Sequence, residues 1–325
     1  MSVSKPRITI VGLGAVGGAI GLALRQAEAA SLIVGHDRDR LVSNEAKKLG
    51  AVDKVHWNLI SACEDADLVI LAIPLDGIED TLVAIGPTLR PGCVVMDTAA
   101  VKGQVLAWAA ESLAESTHFV GANPILSSRL LGLGGIGSAR ADLFQNGVFC
   151  IVPSPTAGAE AVKLVTDLVS ILGAKPLFLD AAEHDGLLAA VSQLPAVLSL
   201  ALLEMAIHQP AWRELRKVAG PAFESGTHLV DASPAGVYMS NQENILRWID
   251  TLADSLDSVR SLVAEGDEAE LDQRIAQAWQ ERQKWLSERN IGDWSEGPTP
   301  QMPSRAGVFD MLLGGFLRRK PQEGS

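Results

Sequence analysis

The stretch ITIVGLGAVGGAIGLALR, Ile8 to Arg25, decides the fold. It opens with a β-rich run, Ile8 to Val11, turns through Gly12-x-Gly14-x-x-Gly17, and continues as an apolar, Ala/Leu-rich helix. A GxGxxG alone is weak evidence. This one follows a strand, opens a helix, and is answered by an acid, Asp37, at the end of the next β-rich run, LIVGHD. Asp37 stands 20 residues after Gly17, the spacing of a dinucleotide-binding βαβ unit. Gly12 permits the tight turn, Gly14 lets the backbone approach a pyrophosphate, and Gly17 lets helix and strand pack closely. The helix N-terminus offers unpaired N–H groups and a partial positive charge to phosphates. Asp37 is expected to accept hydrogen bonds from the adenosine ribose hydroxyls and to repel a 2′-phosphate, which favours NAD over NADP. Arg38, next to it, is a group that such a phosphate would meet. The competing reading is an apolar signal or membrane segment, because Ile8 to Leu24 carries no charge. That stretch is too short and too glycine-rich to span a bilayer well, and no small-residue cleavage site follows a basic start.

The chain has 325 residues, 47% of them hydrophobic, enough for one large or two ordinary domains with ample cores. Its net charge of −12 argues against a nucleic-acid partner, whose phosphates need a basic face. Cys63, Cys93 and Cys150 have no metal-like spacing, so buried free thiols and no metal site are expected. With no integral membrane segment and no signal peptide read, a cytoplasmic protein is expected.

Beyond Asp37 the pattern alternates. A helix is expected over Leu41–Leu49. Asp67–Pro74 reads as a buried parallel strand, because it is continuously apolar. Its C-terminal end, Ile73 and Pro74, should face the cofactor, since ligands of open α/β sheets sit at strand C-termini. Ile78–Leu89 is helical in pattern, and Cys93–Thr98, His118–Pro124, Val148–Val152 and Leu177–Leu179 read as strands. Strands alternating with helices over residues 1–180 make a Rossmann-type doubly wound α/β sheet. From Asp180 the strand signal fades. Leu187–Ile207, Ile245–Val263 and Glu268–Glu288 carry helical periodicity, so 181–290 is expected to be an all-helical second domain with the catalytic cleft between the two. The tail 291–325 is rich in Gly, Pro and Ser and is expected to be poorly ordered, with an apolar, basic-ended block, Val308–Lys320, for which docking on the body or disorder is expected ahead of contact with a membrane surface.

With these sites located, the chain resembles the prephenate and arogenate dehydrogenase family, over Arg7 to about Glu288. GLGAVGGAIGLAL resembles the family's cofactor loop, GHDRD its ribose-binding acid, and VILAIP the strand beside the nicotinamide. MDTAAVK, Met96 to Lys102, is similar to its D-x-x-S-V-K, and GANPI, Gly121 to Ile125, to its G-x-H-P-M. EHDGLLAAVSQLPAVLSLAL, Glu183 to Leu202, is similar to H-D followed by S-H-L-P-H. ESGTHLVDASPAGVYMSNQEN, Glu224 to Asn244, is similar to T-R-x-A-x-S-x-P-x-x-W with a later Asn. Seven motifs in order are specific where each alone is modest. The resemblance implies a Rossmann domain followed by a dimerising helical domain, NAD as cofactor, a homodimer, and oxidative decarboxylation of a small cyclohexadienyl carboxylate on the way to tyrosine. The cofactor set it implies is Gly12, Gly14, Ala15, Val16, Gly17, Asp37, Arg38, Ile73, Pro74 and Thr98.

The family's working positions are substituted. The serine of S-V-K is Ala100, the histidine of H-P-M is Asn123, the two histidines of S-H-L-P-H are Gln193 and Ala196, and the arginine of T-R is His228. Two imidazoles become amides, which hydrogen-bond but have no titratable proton. His228 cannot supply the planar fork that an arginine gives a carboxylate. The catalytic candidates are therefore Asn123, Gln193 and His228, with Lys102 and His184. Lys102 reads equally as a group near cofactor or acidic substrate and as a solvated lysine at a helix start. His184 and Asp185 read as a residual acid–base pair or, because adjacent helical residues do not face each other, as capping and hinge packing. Ser127, Ser128 and Arg129 are weaker candidates for anion contacts. The activity expected is that of a prephenate dehydrogenase-like oxidoreductase; the alternatives are a dehydrogenase with a different substrate or a non-catalytic NAD-binding sensor or scaffold.

Overall fold

The computed structural model describes residues 5–126, 134–229 and 234–291. It divides into two compact units, Met1–Glu268 and Ala269–Ser325. The first runs β1 (Arg7–Val11), α1 (Ala15–Gln26), β2 (Leu32–His36), α2 (Arg40–Lys48), β3 (Lys54–Val55), α3 (Leu59–Cys63), β4 (Leu68–Leu71), α4 (Ile78–Ile85), β5 (Val94–Asp97), α5 (Gly103–Ser112), β6 (His118–Ile125), β7 (Val148–Pro153), α6 (Ala159–Ile171) and β8 (Lys175–Phe178). Helices follow: α7 (Ala181–Leu188), a π-helical turn (Ala189–Gln193), α8 (Leu194–Ile207), α9 (Trp212–Val218), α10 (Pro221–Thr227), α11 (Ala235–Met239) and α12 (Gln242–Glu265). The described part of the second unit belongs to α13 (Glu268–Ile291), which begins at the last residue of the first; its Trp279 and Trp285 lie exposed, each with an arginine, Arg282 or Arg289, over its ring.

One eight-stranded sheet has the order β3-β2-β1-β4-β5-β6-β7-β8. All neighbours are parallel except β6 and β7, which pair antiparallel. The order reverses between β2 and β4 on either side of β1, the switch point at which an open sheet leaves a crevice for a ligand. Strand alternation divides the core. Ile8, Ile10, Leu68, Ile70, Val94 and Met96 face α1 and α6, while Val11, Val69, Leu71 and Val95 face α3, α4 and α5. Side chains at i and i+2 share a face, so Asp97 follows Val95 onto the α5 side. The edge strand β8 is exposed along its whole length.

The strands meet the expected runs with small shifts at the ends. The helix expected over Ile78–Leu89 stops at Ile85 and tightens into a 3₁₀ turn, Gly86–Thr88, because Pro87 has no N–H to donate. α6 carries Ala161, Val165, Leu168 and Val169 on one buried face, a helical period that the strand-led reading passed over. α9, α10 and α11 are too short to show a period. The apolar block Val308–Lys320 and Ser127, Ser128 and Arg129 lie outside the described residues.

The helical run from Ala181 to Ile207 has 27 residues and contains an 18-residue window with a mean hydropathy of 2.0, long and apolar enough to cross a membrane by length and composition. It also holds His184, Asp185, Gln193 and Ser199 buried in the fold, and the first three are hydrogen-bonded to the sheet, α5 or α12. A bilayer position would forfeit those bonds.

Gly12 adopts a φ of +89°, and a Cβ on Gly17 would collide with the Gly12 carbonyl oxygen. Gly17→Ala is therefore expected to lower the unfolding free energy by about 1–3 kcal/mol, read from the urea midpoint; an unchanged midpoint would show that the loop can move away.

Candidate functional site

The glycine loop and the C-terminal ends of β1, β2, β4, β5 and β6 line one edge of the sheet. Gly14, Ala15 and Val16 are half-buried where α1 begins. A Cβ on Gly14 would meet nothing within 4 Å, so the backbone there is open to a ligand. The helix has no side-chain cap and no acid in its first turn, which leaves its N-terminus to an outside anion. Asp37 follows β2. One of its oxygens accepts the N–H of Leu13 at 2.8 Å and the other that of Asp39 at 2.8 Å, so the acid is tied to the glycine loop. Arg38 points outward, exposed. Ile73 is half-buried against Gly12, Pro74 is exposed, and the Thr98 N–H donates to the Leu71 carbonyl at 3.1 Å. The ten expected cofactor residues are thus brought to one edge.

A second set of side chains meets on the α5 side of the sheet. Lys102 is fully buried, and its Nζ stands 2.5 Å from Asp97 Oδ2, itself fully buried. Burial pushes the lysine amine down from its ordinary value, while the Asp97 carboxylate pushes it back up. The Lys102 stem runs across Gly121, where a Cβ would meet its Cδ at 2.8 Å. Lys102 is therefore not a solvated lysine: the turn from Asp97 to α5 folds it back beneath the sheet edge.

Asp185 connects this pair to the helices. Its Oδ1 accepts the Lys102 N–H at 2.7 Å, and its Oδ2 accepts the Gly103 N–H at 2.8 Å. These are N-terminal amides of α5, a helix with no side-chain cap of its own. The same Oδ1 accepts His184 Nδ1 at 2.7 Å. Adjacent helical residues do bond here, against the geometric expectation, because the Asp185 carboxylate lies at the helix surface between the ring and α5. Capping and pairing coexist. On the far side of the ring, His184 Nε2 is 3.1 Å from Asn123 Nδ2. Asn123 is 5% exposed, His184 fully buried. Across the β6–β7 ladder Asn123 faces Cys150, whose thiol burial pushes up to about 11, with Lys102 opposing. Cys63 and Cys93 are likewise buried and free, raised by burial to about 12 and about 11, so all three stay thiols at neutral pH.

Gln193 closes the network from the π-helical turn. Its Oε1 accepts Asn241 Nδ2 at 2.9 Å, and the same Nδ2 donates to the Asp185 carbonyl at 2.8 Å. Asn244, the matched family position, donates to Asn241 Oδ1 at 2.8 Å and accepts from Arg247 Nη2 at 3.0 Å. Asn241 is the residue that sequence reasoning missed. Its signal was an Asn immediately before the periodic run of α12. His228 is not brought into the cluster. It ends α10, is exposed, and its Nδ1 lies 2.6 Å from the Ser225 carbonyl. Among the described residues, no group of three His, Cys, Asp or Glu could hold a metal.

Comparison with known proteins gives two family models that match successive parts of the chain. The family model for the prephenate dehydrogenase nucleotide-binding domain matches residues 20–177, and that for the prephenate dehydrogenase dimerization domain matches 180–277. The prephenate dehydrogenase of Bacillus subtilis is 26% identical over 275 residues, spanning 82% of this chain and 72% of that protein. The cyclohexadienyl dehydrogenase of Zymomonas mobilis is 24% identical over 274 residues, 82% of this chain and 91% of that protein. The fold is shared with prephenate dehydrogenase from A. aeolicus, solved in complex with hydroxyphenyl propionate and NAD+. That likeness has a TM-score of 0.80 and 24% identity, covering 87% of this chain and 99% of that one.

Breaking a buried ion pair leaves an uncompensated charge, at a cost of about 3–5 kcal/mol. Lys102→Met is expected to destabilise the protein on that scale in urea unfolding, and adding Asp97→Leu to recover part of the loss. Additive effects of the two substitutions would mean that the pair is not coupled.

Proposed function

The chain belongs to the prephenate dehydrogenase family, and on that footing we propose that it is an NAD-dependent dehydrogenase of a cyclohexadienyl carboxylate, prephenate or arogenate. The observation that carries this reading is the open backbone at Gly14, set at an uncapped helix N-terminus with Asp37 tied to the loop. The residues fit the dinucleotide: glycine leaves room where a pyrophosphate would lie, α1 meets its charge, and Asp37 lies beside the ribose position. NAD, when bound, supplies the acceptor for a hydride.

The chain's own residues do the rest. Ile73, Pro74 and Thr98 flank the nicotinamide end of the crevice. Asn123, at the C-terminal end of β6, orients the ring hydroxyl of the substrate. It cannot hold the hydroxyl proton, because an amide has no accessible protonation change. A base poised near neutrality contributes roughly 10²–10⁴-fold, so turnover is expected to be slow, with solvent taking the proton. Asn123 also favours one second reading, an NAD-binding protein that no longer turns over this substrate.

We place the boundary between nucleotide-binding and helical parts at residue 180, which the junction of the two family models supports. We also assign the helical part to a homodimer interface. The 181–207 helix leaves Val191, Leu198, Leu200 and Met205 exposed, and beside it an apolar groove of about 280 Å³ is lined by Leu200, Tyr238, Met239, Ile245 and Leu246. An apolar face of this kind is what a second copy would cover. We also assign the protein to the cytoplasm, which its likeness to the prephenate dehydrogenases supports.

The test is NADH formation from NAD and prephenate, followed by absorbance. Slow turnover is expected, and Asn123→His should raise kcat at least about tenfold, within the range of general-base catalysis. NADH binding with no turnover in either protein would favour the second reading. For the interface, Leu200→Asp with Met205→Asp is expected to convert a dimer to a monomer by light scattering; a wild-type monomer would remove the assignment.

A further inference from the structure

The His184 ring has its hydrogen-bonding roles fixed from both sides. A carboxylate only accepts, so the 2.7 Å contact to Asp185 puts a proton on His184 Nδ1. An amide nitrogen only donates, so the 3.1 Å contact to Asn123 Nδ2 makes Nε2 the acceptor. The amide is then turned with its carbonyl away from the ring. Asn123 Oδ1 has no hydrogen bond among the described residues and is not among their fully buried unpartnered atoms, so part of its surface stays accessible. Asn123 and Gly121 share a face of β6, so this oxygen lies on the side of Lys102 and Asp97, which neutralise each other. Cys150, opposite on β7, is a neutral thiol.

We infer that His184 sets which end of the Asn123 amide faces the cleft, so that the site selects a ligand carrying a hydroxyl group over one without a donor at that point. This rests on the reading above for where a ligand sits. His184 is here a positioning residue: it acts through Asn123, and Asp185 acts through His184. The ligand class is an aryl or cyclohexadienyl carboxylate with a ring hydroxyl. The amide oxygen accepts that hydroxyl and would leave an isosteric ring without a donor unanswered.

The experiment compares 3-(4-hydroxyphenyl)propionate with 3-(4-fluorophenyl)propionate, binding to the full chain saturated with NADH. Fluorine has about the size of the hydroxyl and cannot donate. The wild type is expected to prefer the hydroxyl compound by about tenfold, the scale of one buried hydrogen bond left unmade. His184→Leu removes the acceptor at Nε2, and the preference should fall below about threefold as the amide turns freely. His184→Gln puts a carbonyl oxygen where Nε2 stood and should restore it; a merely structural loss would not be rescued in selectivity. NADH affinity, set by the glycine loop and Asp37, reports that each variant is folded. Equal binding of the two compounds by the wild type, or by neither at all with NADH bound, overturns the inference, as does a preference that survives His184→Leu. A wild type that fails to bind NADH overturns the functional reading itself.

Discussion

Asp185 is the group on which the arrangement depends. It reaches from α7 to the first amides of α5, more than 80 residues earlier in the chain, and satisfies donors that α5 cannot satisfy itself. A helix end buried without partners is costly, so this contact fixes where α7 lies on the sheet. Everything downstream inherits that position. His184 is held by the same carboxylate, Asn123 is held by His184, and Gln193 is reached through Asn241 from the Asp185 carbonyl. One carboxylate thus sets the register between the helices and the nucleotide-binding sheet.

The buried ion pair beside it is a second constraint of the same kind. Lys102 and Asp97 are both removed from water, and attraction between them only offsets a desolvation penalty of several kcal/mol per ion. Such a pair is poor material for stability. Its contribution is to geometry: the lysine stem fills the space that Gly121 leaves open, beside the point where Asn123 emerges. A larger side chain at 121 would displace the stem and, with it, the end of β6.

Much of this fold was legible locally. Gly12, Gly14 and Gly17 announce a turn, an open approach and a close contact within six residues, and the structure has each of the three. The continuous apolar run of β4 announced a strand covered on both faces, and it is buried at every position. The polar cluster was legible only as separate letters. Asn123 and His184 lie 61 residues apart, and Asp185 lies 83 from Lys102. No period or spacing joins them, and motif matching placed them in a family without saying that they touch. Lys102 shows the difficulty in one residue: lysine at a helix start is a solvated pattern, and only the fold of the turn from Asp97 buries it. His228 shows the converse, a matched position that stands exposed at the end of α10.

The unsatisfied atoms sharpen the reading of the cluster. Among the described residues three buried side-chain polar atoms lack a partner, and two of them, Asp97 Oδ1 and Gln193 Nε2, belong to this network. A buried donor or acceptor left unmade costs about 1–3 kcal/mol, so a fold does not accumulate them without compensation. One is an acceptor on the sheet side and the other a donor on the helix side. An apolar filling would serve stability better than either. On the function proposed above, amides in place of imidazoles at Asn123 and Gln193 keep the hydrogen-bonding character of the cluster and bring no titratable proton to it. That reading has the two residues alter what the site can do to a proton more than what it can bind.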